Sequence, residues 1–211
     1  SLRALFWILF PLSIGILLLH DPLVRLVYHR GAFGEESVRI TGQAVLYYAV
    51  GLSAFGLSNV LTYAFYSLQD TKTPVIAGLV RLGAKILLSF ALVGPMGHGG
   101  VALSESLSFL LKACLLLRLL PKELRQLEYR RAFRSFGVTG LITGVMAAVV
   151  VVALPYFESA FEIGTSMLMA SMALLALMAL GTVTYLMFSL LLQPAELLGF
   201  YRVVRRGFAR L

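Results

Sequence analysis

The sequence predicts an all-α fold, a polytopic membrane helix bundle with six transmembrane helices. Three observations predict it. The 211 residues are 59% hydrophobic and 13% charged, whereas soluble domains hold about 45–50% apolar and about 25% charged residues. Apolar runs long enough to span a bilayer, about 20 residues each, recur six times. The runs are uniformly apolar, so they lack the alternation of barrel strands of about 10 residues. Helices satisfy their own backbone in lipid, so helices are the expected form.

The first span covers about 4–28, an Arg3-led apolar run with Pro11 as a possible kink. It could pass for a signal peptide, but it lacks a small-residue cleavage site and further spans follow. The second covers about 38–68, with the uncharged core "ITGQAVLYYAVGLSAFGLSNVLTYAFYSLQ". The third covers about 74–93, with Thr73 expected as N-cap and Pro74 as first helical residue. The glycine turn "GPMGHGG" leads into the fourth, about 99–120. The fifth, about 135–156, contains Gly140 and Gly144 as a GxxxG, a signal of close helix approach. The sixth covers about 164–193.

The expected organisation is four helices over 1–120, a basic cytoplasmic loop over 121–134, two further helices over 135–193 and a basic tail over 194–211. In the tail, Leu197, Tyr201, Val204, Phe208 and Leu211 fall at helical spacing away from Arg202, Arg205, Arg206 and Arg210. That pattern suits an amphipathic helix lying on an anionic leaflet. The chain starts at Ser1 without Met and reads as a piece of something longer.

The net charge of +8 does not point to nucleic acid, because of where the charges lie. Arg118, Lys122, Arg125, Arg130, Arg131 and Arg134 cluster in one connection, and four arginines cluster in the tail. Basic clusters beside apolar spans mark the cytoplasmic side, which places both termini there. The first connection dissents, with Arg25, Arg30 and Arg39 nearby, partly answered by Glu35 and Glu36.

No metal or cofactor is expected. A single Cys114, read as a small buried residue, allows no internal disulfide or cysteine cluster. His20, His29 and His98 lack ligand spacing, and no nucleophile, zincin or phosphate-loop motif occurs. Nothing supports an enzyme; His20-Asp21 lacks a third partner.

Ionisable groups inside spans are rare and face a bundle interior or a cavity. Arg81 and Lys85 lie four apart on the third span, and Glu105 and Lys112 seven apart on the fourth. Each pair therefore shares a helix face. Counting the rise of about 1.5 Å per residue from the glycine turn puts Lys85 and Glu105 at similar depth. These two are expected to meet, with Arg81 and Lys112 one layer deeper. A substrate path and a structural ion pair both fit; the ion pair is favoured. Ser58 and Asn59 on the second span suit helix-packing hydrogen bonds or cavity lining.

Three stretches in order carry a family resemblance: "LVRLVYHRGAFGEESVRITGQAVLYYAVGL", "FYSLQDTKTPV" and "GPMGHGGVALSESL". Together they resemble MurJ (MviN)-type lipid II flippases, of the multidrug/oligosaccharidyl-lipid/polysaccharide exporter superfamily. The matching turn residues are Arg30, Gly31 and Phe33 in the first stretch and Gln69, Asp70, Lys72 and Pro74 in the second. The resemblance implies part of the C-terminal lobe of a two-lobe transporter, looking like its ninth to fourteenth helices. The last two would be an appended pair bordering an apolar groove suited to an isoprenoid tail. The implied partners are lipid II, an undecaprenyl-pyrophosphate-linked peptidoglycan precursor, together with membrane lipids and the missing N-terminal lobe. The implied place is the bacterial cytoplasmic (inner) membrane and the implied mechanism alternating access. The cations that the family uses for the pyrophosphate lie mainly on its first, second and eighth helices, so no essential arginine is assigned here. The alternatives are a polysaccharide-lipid or drug exporter of the same superfamily, and a non-transporting scaffold subunit.

Overall fold

The computed structural model describes residues 2–28, 34–161 and 167–192. Among them are six long helices: α1 (Leu2–Tyr28), α2 (Glu35–Ser67), α3 (Lys72–Met96), α4 (His98–Leu119), α5 (Lys122–Ala153) and α6 (Met167–Leu192). A 3₁₀ helix, Leu154–Phe161, follows α5. All six long helices can cross a membrane by length and apolarity. The expected spans thus stand, each within a few residues of its boundaries. Arg30, Gly31, Phe33 and the tail from 194 onward lie outside the described residues.

One boundary differs in kind. The basic stretch after Pro121, expected as a loop, is helical and runs unbroken into the fifth span. Lys122 to Arg134 contains no Gly, Pro, Asn or Asp, and Lys, Glu, Leu, Arg and Gln are all strong helix formers. Charge had suggested a connection, but charge is no helix breaker.

The helices divide around α1. One side of α1 lies along α2, the other along α5 and α6; α2 and α3 each lie along α4. Leu61, Phe65, Ala77, Leu116 and Leu120 form the core where α2, α3 and α4 meet. Trp7, Ile142, Met146 and Tyr185 form a second core, and Leu19, Val150, Leu174 and Leu177 a third, both where α1 meets α5 and α6.

Small residues let α2 come close to its neighbours. A Cβ at Gly56 would run into Leu9 of α1, and one at Gly51 would meet Ser106 of α4, 2.6 Å from its Cα. Ser106 Oγ donates to the Tyr47 carbonyl at 2.6 Å, and Ser13 and Ser53 hydroxyls meet at 2.9 Å. Hydroxyl contacts of this kind hold membrane helices together where apolar burial gives little net drive. The GxxxG of α5 is used differently from expectation. Nothing lies within 4 Å of a Cβ at Gly140 or Gly144; on the α5–α6 side the close glycine is Gly181, 3.2 Å from Val150 Cγ2. A spacing motif marks one face of a helix but does not say that a neighbour lies there.

Candidate functional site

The α2–α3 turn is built from two helix caps that share a residue. Gln69 takes the left-handed conformation, φ 61°, at the position just past the end of α2. Its N–H donates to the Tyr66 carbonyl, and the Asp70 N–H donates to the Phe65 carbonyl, each at 3.0 Å. That is the Schellman arrangement, which satisfies the open carbonyls of a helix end. The Asp70 carboxylate then starts α3. The Thr73 N–H donates to Oδ1 at 3.0 Å and the Thr73 hydroxyl to Oδ2 at 2.6 Å. The Thr73 hydroxyl, then its N–H, hold the Asp70 carboxyl below its ordinary range. The cap is therefore Asp70 and not Thr73, because the carboxylate reaches three residues on to an unpaired helical N–H. Pro74 is buried behind it and Lys72 is exposed. Gln69 by its backbone conformation and Asp70 by its hydrogen bonds thus shape the turn.

The mid-span charges meet across α3 and α4. Lys85 Nζ lies 2.5 Å from Glu105 Oε2, and Arg81 Nη1 lies 3.1 Å from Oε1. The Lys85 contact is a close ion contact outside hydrogen-bond alignment, since Oε2 has no hydrogen-bond donor among the described residues. The expected Lys85–Glu105 approach is present. Arg81, expected one layer deeper, shares the same carboxylate, because its long side chain spans the turn that separates it from Lys85. Its guanidinium also sits over the Phe109 ring, 4.4 Å from the centroid, a cation–π contact. Phe109 in turn meets Phe55 of α2 edge-on at 4.9 Å. Lys112 is half-buried and has no carboxylate partner among the described residues. Ser89 and Ser104 hydroxyls, 2.7 Å apart, continue the α3–α4 seam.

Asn59 is half-buried and lies one turn beyond Phe55, on the same face of α2. Ser58 is fully buried and donates to its own helix, at the Phe55 carbonyl. Cys114, expected to be buried, is exposed; the buried position beside it belongs to Ala113. His20 bonds the Leu17 carbonyl while Asp21 accepts from Arg25, so the two do not form a pair. Arg25 also reaches Glu35 at 2.7 Å, and Arg39 reaches Glu36 at 2.7 Å. Two of the three arginines in the dissenting connection are thus paired with carboxylates.

The second feature is an apolar cavity of about 610 Å³ between α1, α5 and α6. Leu12, Gly15 and Leu19 line it from α1, Met146 and Val150 from α5, and Met178, Gly181 and Leu186 from α6. Leu12, Met178 and Leu186 are exposed, so its rim faces the surroundings of the bundle. Trp7 and Tyr185 close one end, rings 5.5 Å apart. The Trp7 indole N–H donates to Ser189 Oγ at 2.7 Å, and the Tyr185 hydroxyl donates to the Trp7 carbonyl at 2.6 Å. Sequence reasoning missed this lock and Phe109, since neither aromatic pairing leaves a mark in local spacing.

Six apolar helices, mid-span charges paired across two of them and a lipid-sized apolar cavity define a multi-pass membrane protein. The chain belongs to the MurJ family: the family model described as lipid II flippase MurJ matches residues 1–172. It is 30% identical over 198 residues to a probable lipid II flippase MurJ of Thermotoga maritima, across 93% of this chain and 37% of that protein. It is 34% identical over 108 residues to a probable lipid II flippase MurJ of Vibrio cholerae, across 51% of this chain and 21% of that protein. The chain thus spans little more than a third of the Thermotoga relative. In fold it is similar to a solved lipid II flippase MurJ in an inward closed conformation. That match has TM-score 0.72 at 23% identity and covers 96% of this chain and 38% of the other.

Proposed function

We propose that this chain is the C-terminal part of a lipid II flippase. The full-length protein would carry the undecaprenyl-linked peptidoglycan precursor across the bacterial cytoplasmic membrane by alternating access. Family membership over most of the chain carries the reading. The apolar cavity supports the chain's own share in it. An isoprenoid tail has no polar atoms to satisfy, and the cavity wall offers almost none. The tail would rest between α1, α5 and α6 while the headgroup is held by helices outside this chain. The Arg81–Glu105–Lys85 cluster then serves as a charged seam between α3 and α4 and not as the substrate's path. With the basic start of α5 and the basic tail on one side, both ends of the chain would be cytoplasmic. The function is transport, without bond chemistry.

Full-length protein in vesicles tests this with fluorescent lipid II. The expected result is transfer of label to the opposite leaflet, together with growth when the gene replaces a depleted flippase. Failure of both overturns the reading. Lipid II with a photoreactive tail should label Leu12 and Met178; label confined to α3 would move the tail elsewhere.

A further inference from the structure

The apolar cavity is a groove with one hard end. α1 and α6 touch each other less than either touches α5, so α5 is the floor and the opening lies between α1 and α6. The Trp7–Ser189 and Tyr185–Trp7 hydrogen bonds draw α1 and α6 together at one end. Trp7 and Tyr185 are only 4% and 5% exposed. Neither ring can swing aside without stranding a buried polar group in apolar surroundings. The pair is therefore a wall and not a soft rim.

The groove also has a length. Its α1 wall runs from Trp7 to Leu23, a rise of at most about 24 Å. Its α6 wall runs from Leu177 to Leu190, a rise of about 20 Å. Leu19, Val150, Leu174 and Leu177 pack together toward the other end. Along the wall, the Thr182 hydroxyl is turned back onto the Met178 carbonyl. An isoprene unit has four chain bonds of about 1.5 Å and extends by no more than about 5 Å. The groove thus has room for roughly four to five extended units, fewer than half of an undecaprenyl tail.

Resting on the reading that the groove holds the tail, we infer that the Trp7–Tyr185 pair is a stop that limits the bound stretch to about four to five isoprene units. The remaining units stay among the bilayer lipids. A unit inside the groove gains close contacts with fixed side chains. A unit beyond the stop meets lipid in the bound and the free state alike, and gains nothing. Trp7 and Tyr185 are then positioning residues, and the groove reads a polyprenyl segment and not the whole chain.

Competition in vesicles of full-length protein tests this. Lipid II with a photoreactive tail is the probe, read by its label at Leu12 and Met178. Lipid II analogues with progressively longer tails, from one isoprene unit to the full undecaprenyl chain, compete at known mole fraction in the membrane. The mole fraction that halves the label should fall roughly ten-fold as the tail grows to about five units, and then stay level. A steady fall up to the full undecaprenyl length overturns the stop but leaves the tail in the groove. No label at either residue overturns the tail reading, and the stop with it.

Two variants should move the break in opposite directions. Gly15 lies midway along the α1 wall, and nothing lies within 4 Å of a Cβ there. G15L therefore fits the fold and blocks the groove halfway, so its break should come at about two units. W7A removes the stop and should move the break beyond about five units. A wild-type break in G15L, or in a folded W7A, overturns the inference. G15L reads the limit even where W7A does not accumulate.

Discussion

The Tyr185 hydroxyl of α6 donates to the backbone carbonyl of Trp7 in α1. Pro11 is the reason that this carbonyl is available. Proline has no N–H, so the group four residues before it loses its helical donor. Tyr185 supplies the missing hydrogen bond from another helix, as membrane interiors require. Y185F should therefore destabilise the full-length protein by about 1–2 kcal/mol. P11A returns an N–H to the Trp7 carbonyl, so Y185F should cost less in the P11A background. Unfolding of the four proteins in a double-mutant cycle checks this; additive effects would refute the coupling.

Glu105 holds two cations, so its loss should exceed that of either partner. E105Q leaves three cations at mid-span and should cost roughly 2–3 kcal/mol. K85M should cost less, since the Arg81–Glu105 contact survives, and K85M/E105Q should be more stable than E105Q. Thermal unfolding in detergent gives the order.

The glycines separate into two kinds. G51A should destabilise by about 1–3 kcal/mol, because its Cβ meets the Ser106 backbone and the helices must part. G140A and G144A have open space and should be neutral or gain up to about 1 kcal/mol from helix propensity. Equal losses at Gly51 and Gly140 would contradict the packing.

Asp70 gives the turn a pH dependence. Its folded carboxyl titrates below its ordinary value of 3.8, so the cap stabilises the fold above the unfolded value. That contribution is lost as pH falls through the lower, folded value. Wild-type and D70N melting curves should converge as pH drops from 7 into that acid range. A constant difference between them would deny the cap its charge.

Gln69 is the one non-glycine described residue with positive φ. Q69G removes the Cβ penalty and should stabilise the protein by up to about 1 kcal/mol. Chemical or thermal unfolding measures it, and a loss would mean that the amide side chain has a contact of its own.

The six helices were legible because a bilayer demands long apolar runs and leaves few alternatives. The Lys85–Glu105 contact was legible too, since depth in antiparallel helices follows from counting out of a short turn. Arg81 escaped the count because the reach of its side chain exceeds one helical turn. The exposed face of Cys114, the idle GxxxG and the Phe55–Phe109–Arg81 stack depend on how helices are rotated about their axes, which apolarity on all sides does not specify. Pro11 was visible as a helix-interior proline, but the donor to the carbonyl that it frees, Tyr185, lay 178 positions from Trp7. The basic start of α5 misled because charge was weighed ahead of helix propensity.

The turn between α2 and α3 has no spare link. Asp70 ends one helix with its backbone and begins the next with its side chain. A single inserted residue would detach one of these functions from the other. The elbow thus behaves as a rigid bracket between α2 and α3, fixing the angle at which the two helices leave it.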